Sequence, residues 1–132
     1  MQHAFSFANG TRGTTPRVPF SRIKERILGP SYELSVALVG VQRMRTLNRT
    51  HRNKDVPTDI LAFPLSRVRG EIILNVDTAT KKSSAFRLTP RQYLTYVFIH
   101  GCLHLKGMDH GRTMEKREDS WCREFGIPPP AR

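Results

Sequence analysis

The segment TPRQYLTYVFIHGCLHLKGMDH, residues 89–110, contains a continuous helical pattern around which the rest of the chain can be arranged. Thr89 and Pro90 are typical of the N-cap and first position of a helix. Apolar residues then recur at helical spacing as far as Lys106, and Gly107 favours the left-handed turn that commonly ends a helix. The pattern predicts a helix over about 90–106 with one buried face. That face comprises Leu94, Val97, Phe98, Gly101, Cys102 and Leu105.

Shorter helical and extended patterns lie on both sides of this segment. Helical spacing of apolar residues predicts further helices over residues 20–28, 41–52, 77–86 and 113–125. Alternating or short apolar runs predict strands over residues 3–7, 32–39, 59–63 and 71–74, the third of them ended by Pro64. The order of elements predicts an α+β fold, in which helices cover a small mixed β-sheet.

Length and composition predict one compact domain. A chain of 132 residues, 38% of them hydrophobic, has room for a single core. We assign residues 1–132 to this domain, with an irregular N-terminal segment over 1–19 and a short tail over 126–132. Two cysteines, Cys102 and Cys122, are too few for a disulfide framework, and both fit best in the core.

The chain shows no targeting or membrane signal. No run of about 18 apolar residues predicts a transmembrane helix. Residues 1–13 lack the basic-then-apolar pattern of a secretory signal. We therefore expect a cytoplasmic protein without membrane contact, and a monomer by default.

The charge balance is strongly basic, with 22 Lys and Arg against 11 Asp and Glu and a net charge of +11. Such a charge produces a positive field over much of a small protein, and nucleic acid is its commonest partner. The alternative is a general use of arginine without a binding role. The candidate RNA-binding residues are Arg43, Arg45 and Arg49 in one group and Lys81 and Lys82 in another.

Three histidines have the spacing of a metal site. His100 and His104 are four residues apart, so that they lie on the same face of the predicted helix. Gly107 lets the chain reverse after the helix and bring His110 round as a third ligand. Three imidazoles suit tetrahedral zinc and leave one position open, which is the mark of a catalytic site. We therefore predict one Zn²⁺ ion per chain.

The spacing also matches metzincin proteases, whose pattern is His-Glu-x-x-His-x-x-Gly-x-x-His. The three histidines and Gly107 fit this pattern, but Gly101 stands where the proteases have a glutamate. That carboxylate activates water in such enzymes, so its absence argues against a protease.

Two long motifs resemble the YbeY family. The segment HGCLHLKGMDH at 100–110 is similar to the family signature, except that Met108 replaces the usual aromatic residue. Leu47-Asn48, Arg52, Asp55 and the segment PTDILAFP at 57–64 are similar to a second stretch, with Ala62 in place of a serine. GEII at 70–73 resembles a family strand. The resemblance spans about residues 34–125.

The resemblance implies a single-strand-specific, zinc-dependent endoribonuclease in ribosomal RNA maturation, with late 3′-end processing of 16S rRNA and ribosome quality control as roles. It implies the ribosome or its small subunit as partner. It also implies His100, His104 and His110 as zinc ligands, the same set that the spacing predicts, and a catalytic Arg52. An arginine fork suits a scissile phosphate. The alternative for Arg52 is an ion pair with Asp55 or Asp59.

Other roles stay open from the sequence. Asp109 is expected to accept a hydrogen bond from a ligand imidazole, with general base as the alternative. His51 is a possible substrate contact, and no aromatic platform for stacked bases is evident. Two other functions are considered: a non-catalytic ribosome-assembly factor with structural zinc and, with less support, a metalloprotease-like hydrolase.

Overall fold

Five α-helices and four strands make up the computed structural model, which describes residues 4–132. The strands are β1 Phe5–Asn9, β2 Glu33–Leu38, β3 Ile60–Ser66 and β4 Arg69–Leu74. The helices are α1 Phe20–Leu28, α2 Val41–Arg52, α3 Val76–Ser83, α4 Pro90–Leu105 and α5 Arg112–Glu124, with a 3-10 turn at Ser84–Phe86 after α3.

The four strands form one mixed sheet in the order β1-β2-β4-β3. β1, β2 and β4 run parallel, and β3 pairs with β4 as an antiparallel hairpin. Alternate residues of β2, namely Leu34, Val36 and Leu38, are buried, as expected for a strand with one face on the core. The predicted α+β fold with a small mixed sheet and covering helices is confirmed.

The sequence predicted that Pro64 would end β3, but it does not. The strand continues to Ser66, Pro64 pairs with Gly70, and the register shifts between Pro64 and Ser66. β3 is an edge strand, and an edge tolerates proline because one side of the strand has no ladder partner. The edge position, which is a property of the whole sheet, explains the difference.

The N-terminal segment is more regular than predicted. Residues 5–9 form β1, two residues later than the strand expected at 3–7, and His3 lies outside the described residues. β1 pairs with β2 from Phe5↔Leu34 to Asn9↔Leu38. The pairing with a distant strand stabilises a segment whose own sequence is weakly patterned.

Helix α4 is the centre of the domain. It contacts α1, α3, α5, β3 and β4. At its start, Thr89 and Gln92 form a capping box, in which each side chain accepts from the other residue's backbone N–H. At its end Gly107 has φ of 102°, and its N–H donates to the His104 carbonyl at 3.0 Å. This glycine-dependent turn reverses the chain directly after the histidine pair.

A single hydrophobic cluster joins the sheet to the helices. Cys102 and Cys122 both lie in it as free cysteines, and burial raises the pKa of each thiol, that of Cys122 to about 12. Ile127, from the predicted tail, is also part of the cluster. Within residues 4–132 no helix has the length and apolar content to cross a membrane.

Candidate active site

A cleft of about 470 Å³ is lined by β3, by α4 and by the segment that follows α4. Arg52, the last residue of α2, reaches it from one side, while His100 and His104 belong to α4. His110 joins them from the turn after α4. The fold therefore brings to one cavity all four residues proposed from the sequence as catalytic.

The three imidazoles lie close together. The His100 and His110 ring centroids are 5.1 Å apart, and those of His104 and His110 are 6.4 Å apart. His100 is half-buried, whereas His104 and His110 are exposed. The reversal at Gly107 is what places the third ring opposite the first, because without it the chain would continue along the helix axis.

The donor chemistry and spacing fit zinc. Two imidazoles bound through Nε2 to one tetrahedral zinc ion have centroids about 5 Å apart, given Zn–N bonds of about 2.0–2.1 Å. His100 and His110 have this spacing, and His104 stands somewhat farther away. No three His, Cys, Asp or Glu side chains of residues 4–132 already form a closed ligand cluster. Because His104 is exposed, rotation about its side-chain bonds can close the set.

Glu118 of α5 orients His100. The Nδ1 of His100 is hydrogen-bonded to Glu118 Oε2, and Glu118 is only 2% exposed. Burial by itself would raise the pKa of Glu118, but hydrogen bonds from His100 and Arg132 lower it below its usual value. With Nδ1 occupied as a donor, the Nε2 of His100 is left to face a ligand, as in many carboxylate–histidine–metal sites.

Glu118 was not among the residues predicted from the sequence, which favoured Asp109 for this role. Asp109 is exposed and makes no side-chain hydrogen bond with any residue that the structure describes. A signal for Glu118 was present, because it lies four residues from both Met114 and Cys122 on the buried face of α5. A carboxylate among buried apolar residues needs a hydrogen-bond or ion-pair partner. That partner is expected to be a cationic or donor group on a neighbouring helix or strand.

Arg52 is not in the ion pairs that were considered for it. Asp55 pairs with Arg45 through two hydrogen bonds of 2.9 and 3.0 Å. Asp59 accepts from the Tyr93 hydroxyl at 2.8 Å and lies 3.6 Å from Lys82 Nζ. Within residues 4–132 Arg52 has no salt-bridge partner, so its guanidinium is available to a ligand in the cleft.

Three of the five candidate RNA-binding residues have their positive charge paired with a carboxylate, which the sequence did not indicate. Arg45 and Arg49 share Asp55, and Lys82 is paired with Asp59. Arg43 and Lys81 are exposed and have no ion pair in the described part of the chain. None of the five lines the cleft. Lys82 nevertheless lies next to the cleft, because its Nζ is 3.6 Å from the lining residue Asp59.

Aromatic side chains line the cleft, although no platform was evident from the sequence. Phe63 of β3, Phe86 of the 3-10 turn and Tyr96 of α4 are all half-buried there. His51 packs on Phe63 with centroids 4.9 Å apart, at the Arg52 end of the cleft. Three separate elements supply these rings, so no local pattern connects them. Half-buried rings beside an exposed guanidinium can stack unpaired bases.

Gly101 is where α4 meets the sheet. A Cβ at this position would lie 2.6 Å from Ile60 Cδ1 and 3.1 Å from Ile72 Cδ1. A side chain as long as glutamate has no room there unless β3 moves. The position that holds the general base in metzincin proteases is therefore occupied by a packing contact in this protein.

A family model described as Endoribonuclease YbeY matches residues 17–125. The chain belongs to the YbeY family. An Endoribonuclease YbeY from Anaeromyxobacter sp. is 40% identical over an alignment of 106 residues, and the match covers 72% of this chain and 55% of that protein. Another, from Alkaliphilus metalliredigens, is 29% identical over an alignment of 114 residues, and the match covers 74% of each chain. This chain thus spans about half the length of the first of these YbeY proteins.

A solved structure has the same fold. The solution structure of TM1509 from Thermotoga maritima superposes with a TM-score of 0.69 at 27% identity. The match covers 91% of this chain and 87% of that one. The YbeY assignment rests on the sequence match over most of the chain, and the solved structure shows the same arrangement of helices and strands.

Proposed function

We propose that this YbeY-family protein is a zinc-dependent endoribonuclease that cleaves single-stranded RNA. The observation that carries the proposal is the meeting in one cleft of about 470 Å³ of three imidazoles and the Arg52 guanidinium, which has no ion pair with any described residue. The matched relatives are named endoribonucleases, which supports the same chemistry. The net charge of +11 favours a polyanionic substrate.

His100, His104 and His110 would hold the metal, with Glu118 orienting the first of them. A zinc ion in such a site supplies Lewis acidity toward a phosphoryl oxygen and a lowered pKa for a bound water. Nothing in the described donor set conflicts with this ion: the three nitrogen donors are borderline ligands of the kind zinc prefers.

Arg52 would bind the scissile phosphate or its neighbour. A guanidinium makes two parallel hydrogen bonds to phosphate oxygens, and here no carboxylate competes for it within the described residues. Its fixed charge would stabilise the negative charge that develops during phosphoryl transfer. Phe63, Phe86 and Tyr96 would stack the flanking bases, which requires bases that are unpaired.

The proposed biological setting is the maturation of small-subunit ribosomal RNA in the cytoplasm. We propose the 3′ end of 16S rRNA as substrate, with a further role in ribosome quality control and the small subunit as partner. The protein would act as a monomer, with residues 1–132 as one catalytic domain. The family membership and the basic surface support this setting.

The first test compares RNA cleavage by the wild type and His104→Ala, purified in parallel, on a precursor of the small-subunit RNA. Because His104 is exposed, its replacement should leave the fold intact, which thermal unfolding of both proteins checks. We expect cleavage and bound zinc in the wild type and neither in the variant. Equal cleavage by both proteins would indicate a contaminating nuclease and contradict the proposal.

A non-catalytic assembly factor with structural zinc is a second candidate. One observation favours it: Asp59, the one carboxylate of the described residues that lines the cleft, is held by Tyr93 and Lys82 and is poorly placed as a general base. Its sign would be small-subunit binding that His104→Ala retains, with no cleavage by the wild type. A protease is disfavoured by the packing at Gly101, and we expect no peptide cleavage.

A further inference from the structure

We propose that Arg132 and Glu118 are positioning residues for His100, so that the tail segment, residues 126–132, completes the metal site from behind. The proposal rests on the proposed zinc site and adds to it residues that do not line the substrate cleft. The Arg132 guanidinium contacts the buried Glu118 carboxylate, which in turn contacts the His100 imidazole.

All three guanidinium nitrogens of Arg132 contact carboxylates of α5. Nη2 donates to Glu118 Oε1 at 2.8 Å, and Nη1 donates to Asp119 Oδ1 at 2.8 Å. Nε lies 3.3 Å from Glu115 Oε2. The three carboxylates occupy one face of α5, at spacings of three and four residues. Contacts of this kind hold an arginine in one orientation, which a single exposed ion pair does not.

Glu118 divides its two oxygens between the neighbours. Oε1 accepts from Arg132, and Oε2 faces His100 Nδ1. A carboxylate that is 2% exposed needs both partners, because an unpaired charge at that depth is strongly unfavourable. Arg132 therefore holds the Glu118 carboxylate in place, and Glu118 in turn fixes the ring plane of His100 through the hydrogen bond at Nδ1.

Two cavities border the His100 ring: the substrate cleft and a second cavity of about 310 Å³. The second cavity is lined by Tyr96, His110, Glu115, Glu118 and Arg132 as well as His100. Because the ring borders open space as well as the neighbouring Tyr96 and His110 rings, its hydrogen bond to Glu118 restricts its orientation. Loss of that bond would let Nε2 turn away from the other two histidines.

The tail is itself anchored. Ile127 lies in the hydrophobic core, and the Ala131 N–H donates to the Phe86 carbonyl at 3.0 Å. The Arg132 guanidinium lies over the Tyr96 ring, 6.0 Å from its centroid. These contacts hold Arg132 beside Glu118. An arginine in an unanchored tail would occupy that position only part of the time.

The test measures zinc affinity of the full chain by competition with a chromophoric chelator at one pH. Carboxylates that orient a ligand histidine are worth about 10–100-fold in metal affinity. We expect a loss of that size in Glu118→Gln, about 3–10-fold in Arg132→Ala, and partial recovery in Arg132→Lys. Arg26→Ala is the matched control. Arg26 donates two hydrogen bonds to Glu124, which lies on α5 as Glu118 does but away from the site.

A second measurement, on metal-free protein, assigns the His100 tautomer by nitrogen NMR. We expect the Nδ1–H form in the wild type and in Arg26→Ala, and a mixture in Arg132→Ala. The inference fails if Arg132→Ala keeps both the wild-type affinity and the wild-type tautomer, or if Arg26→Ala loses affinity equally. If the wild type binds no zinc, the proposed function fails, and the tautomer alone decides the inference.

Discussion

The two walls of the cleft differ in how their functional groups are held. On the wall formed by α4 and α5, His100 is tied to Glu118 and Glu118 to Arg132. On the wall formed by the end of α2 and β3, Arg52 is exposed and has no ion pair with any described residue. On the first wall, His100 and Glu118 have their hydrogen-bond partners before substrate arrives. The second wall presents an exposed guanidinium, which in the proposed function would bind a substrate phosphate. Preorganisation and availability are thus divided between the two sides.

Loss of Arg52 should have the largest effect among changes that spare the metal. We expect Arg52→Ala to lower the rate of RNA cleavage about 10²–10³-fold, as removal of a charge-stabilising donor does elsewhere. Zinc content should be unchanged, because the histidine wall is untouched. Arg52→Lys keeps the charge without the fork and should recover only part of the rate. Cleavage assays with elemental analysis make the test. Loss of zinc in Arg52→Ala would show that the walls are not independent.

The close contact of α4 with β3, which lie on opposite walls of the cleft, should depend on the absence of a side chain at Gly101. A methyl group there meets Ile60 Cδ1, so we expect Gly101→Ala to lower the free energy of unfolding by about 1–3 kcal/mol. Adding Ile60→Val removes the contacted atom and should restore part of the loss. Chemical denaturation measures all three proteins, with Gly13→Ala in an open loop as control. Equal stability of Gly101→Ala and wild type would contradict the close contact.

Phe63 should affect substrate binding more than the chemical step. Base stacking on an aromatic ring is worth about 1–3 kcal/mol, so Phe63→Ala should raise KM for single-stranded RNA about tenfold with a smaller change in kcat. Phe63→Trp keeps a stacking surface and serves as the matched variant. Steady-state kinetics separates the two constants. If Phe63→Ala lowers kcat and leaves KM unaltered, Phe63 supports the site without stacking on the substrate.

The smallest effects should come from the basic residues outside the cleft. Arg45 is already paired with Asp55, which lowers the pKa of that carboxyl, whereas Arg43 is exposed without a partner in the described chain. We expect Arg43→Ala to reduce the slope of RNA affinity against salt by about one and Arg45→Ala by less. Binding measured at several salt concentrations tests this. Equal slopes for the two variants would show that the Asp55 pairing does not matter.

Local patterns accounted for most of the secondary structure. The prediction of α1 and α2 agrees with the observed bounds, and that of α4 differs by one residue at its end. The errors at Pro64 and at β1 are in strands. One error is in a helix: the helix predicted over 77–86 ends at Ser83 and is followed by a 3-10 turn at Ser84–Phe86. A strand's limits depend on a partner far along the chain, as β1 depends on β2.

By itself the sequence determined the features that depend on near neighbours: the helices, the caps at Thr89 and Gly107, and the spacing of His100, His104 and His110. The tertiary structure decided everything that joins distant residues. It left Arg52 without an ion partner among residues 4–132, brought Phe63 and Tyr96 to one cleft, and placed Glu118 rather than Asp109 against His100. The physical reason is the range of the interactions. Backbone hydrogen bonds and helical periodicity act within a few residues, whereas a buried carboxylate is satisfied by whichever donor the packing of another element brings to it.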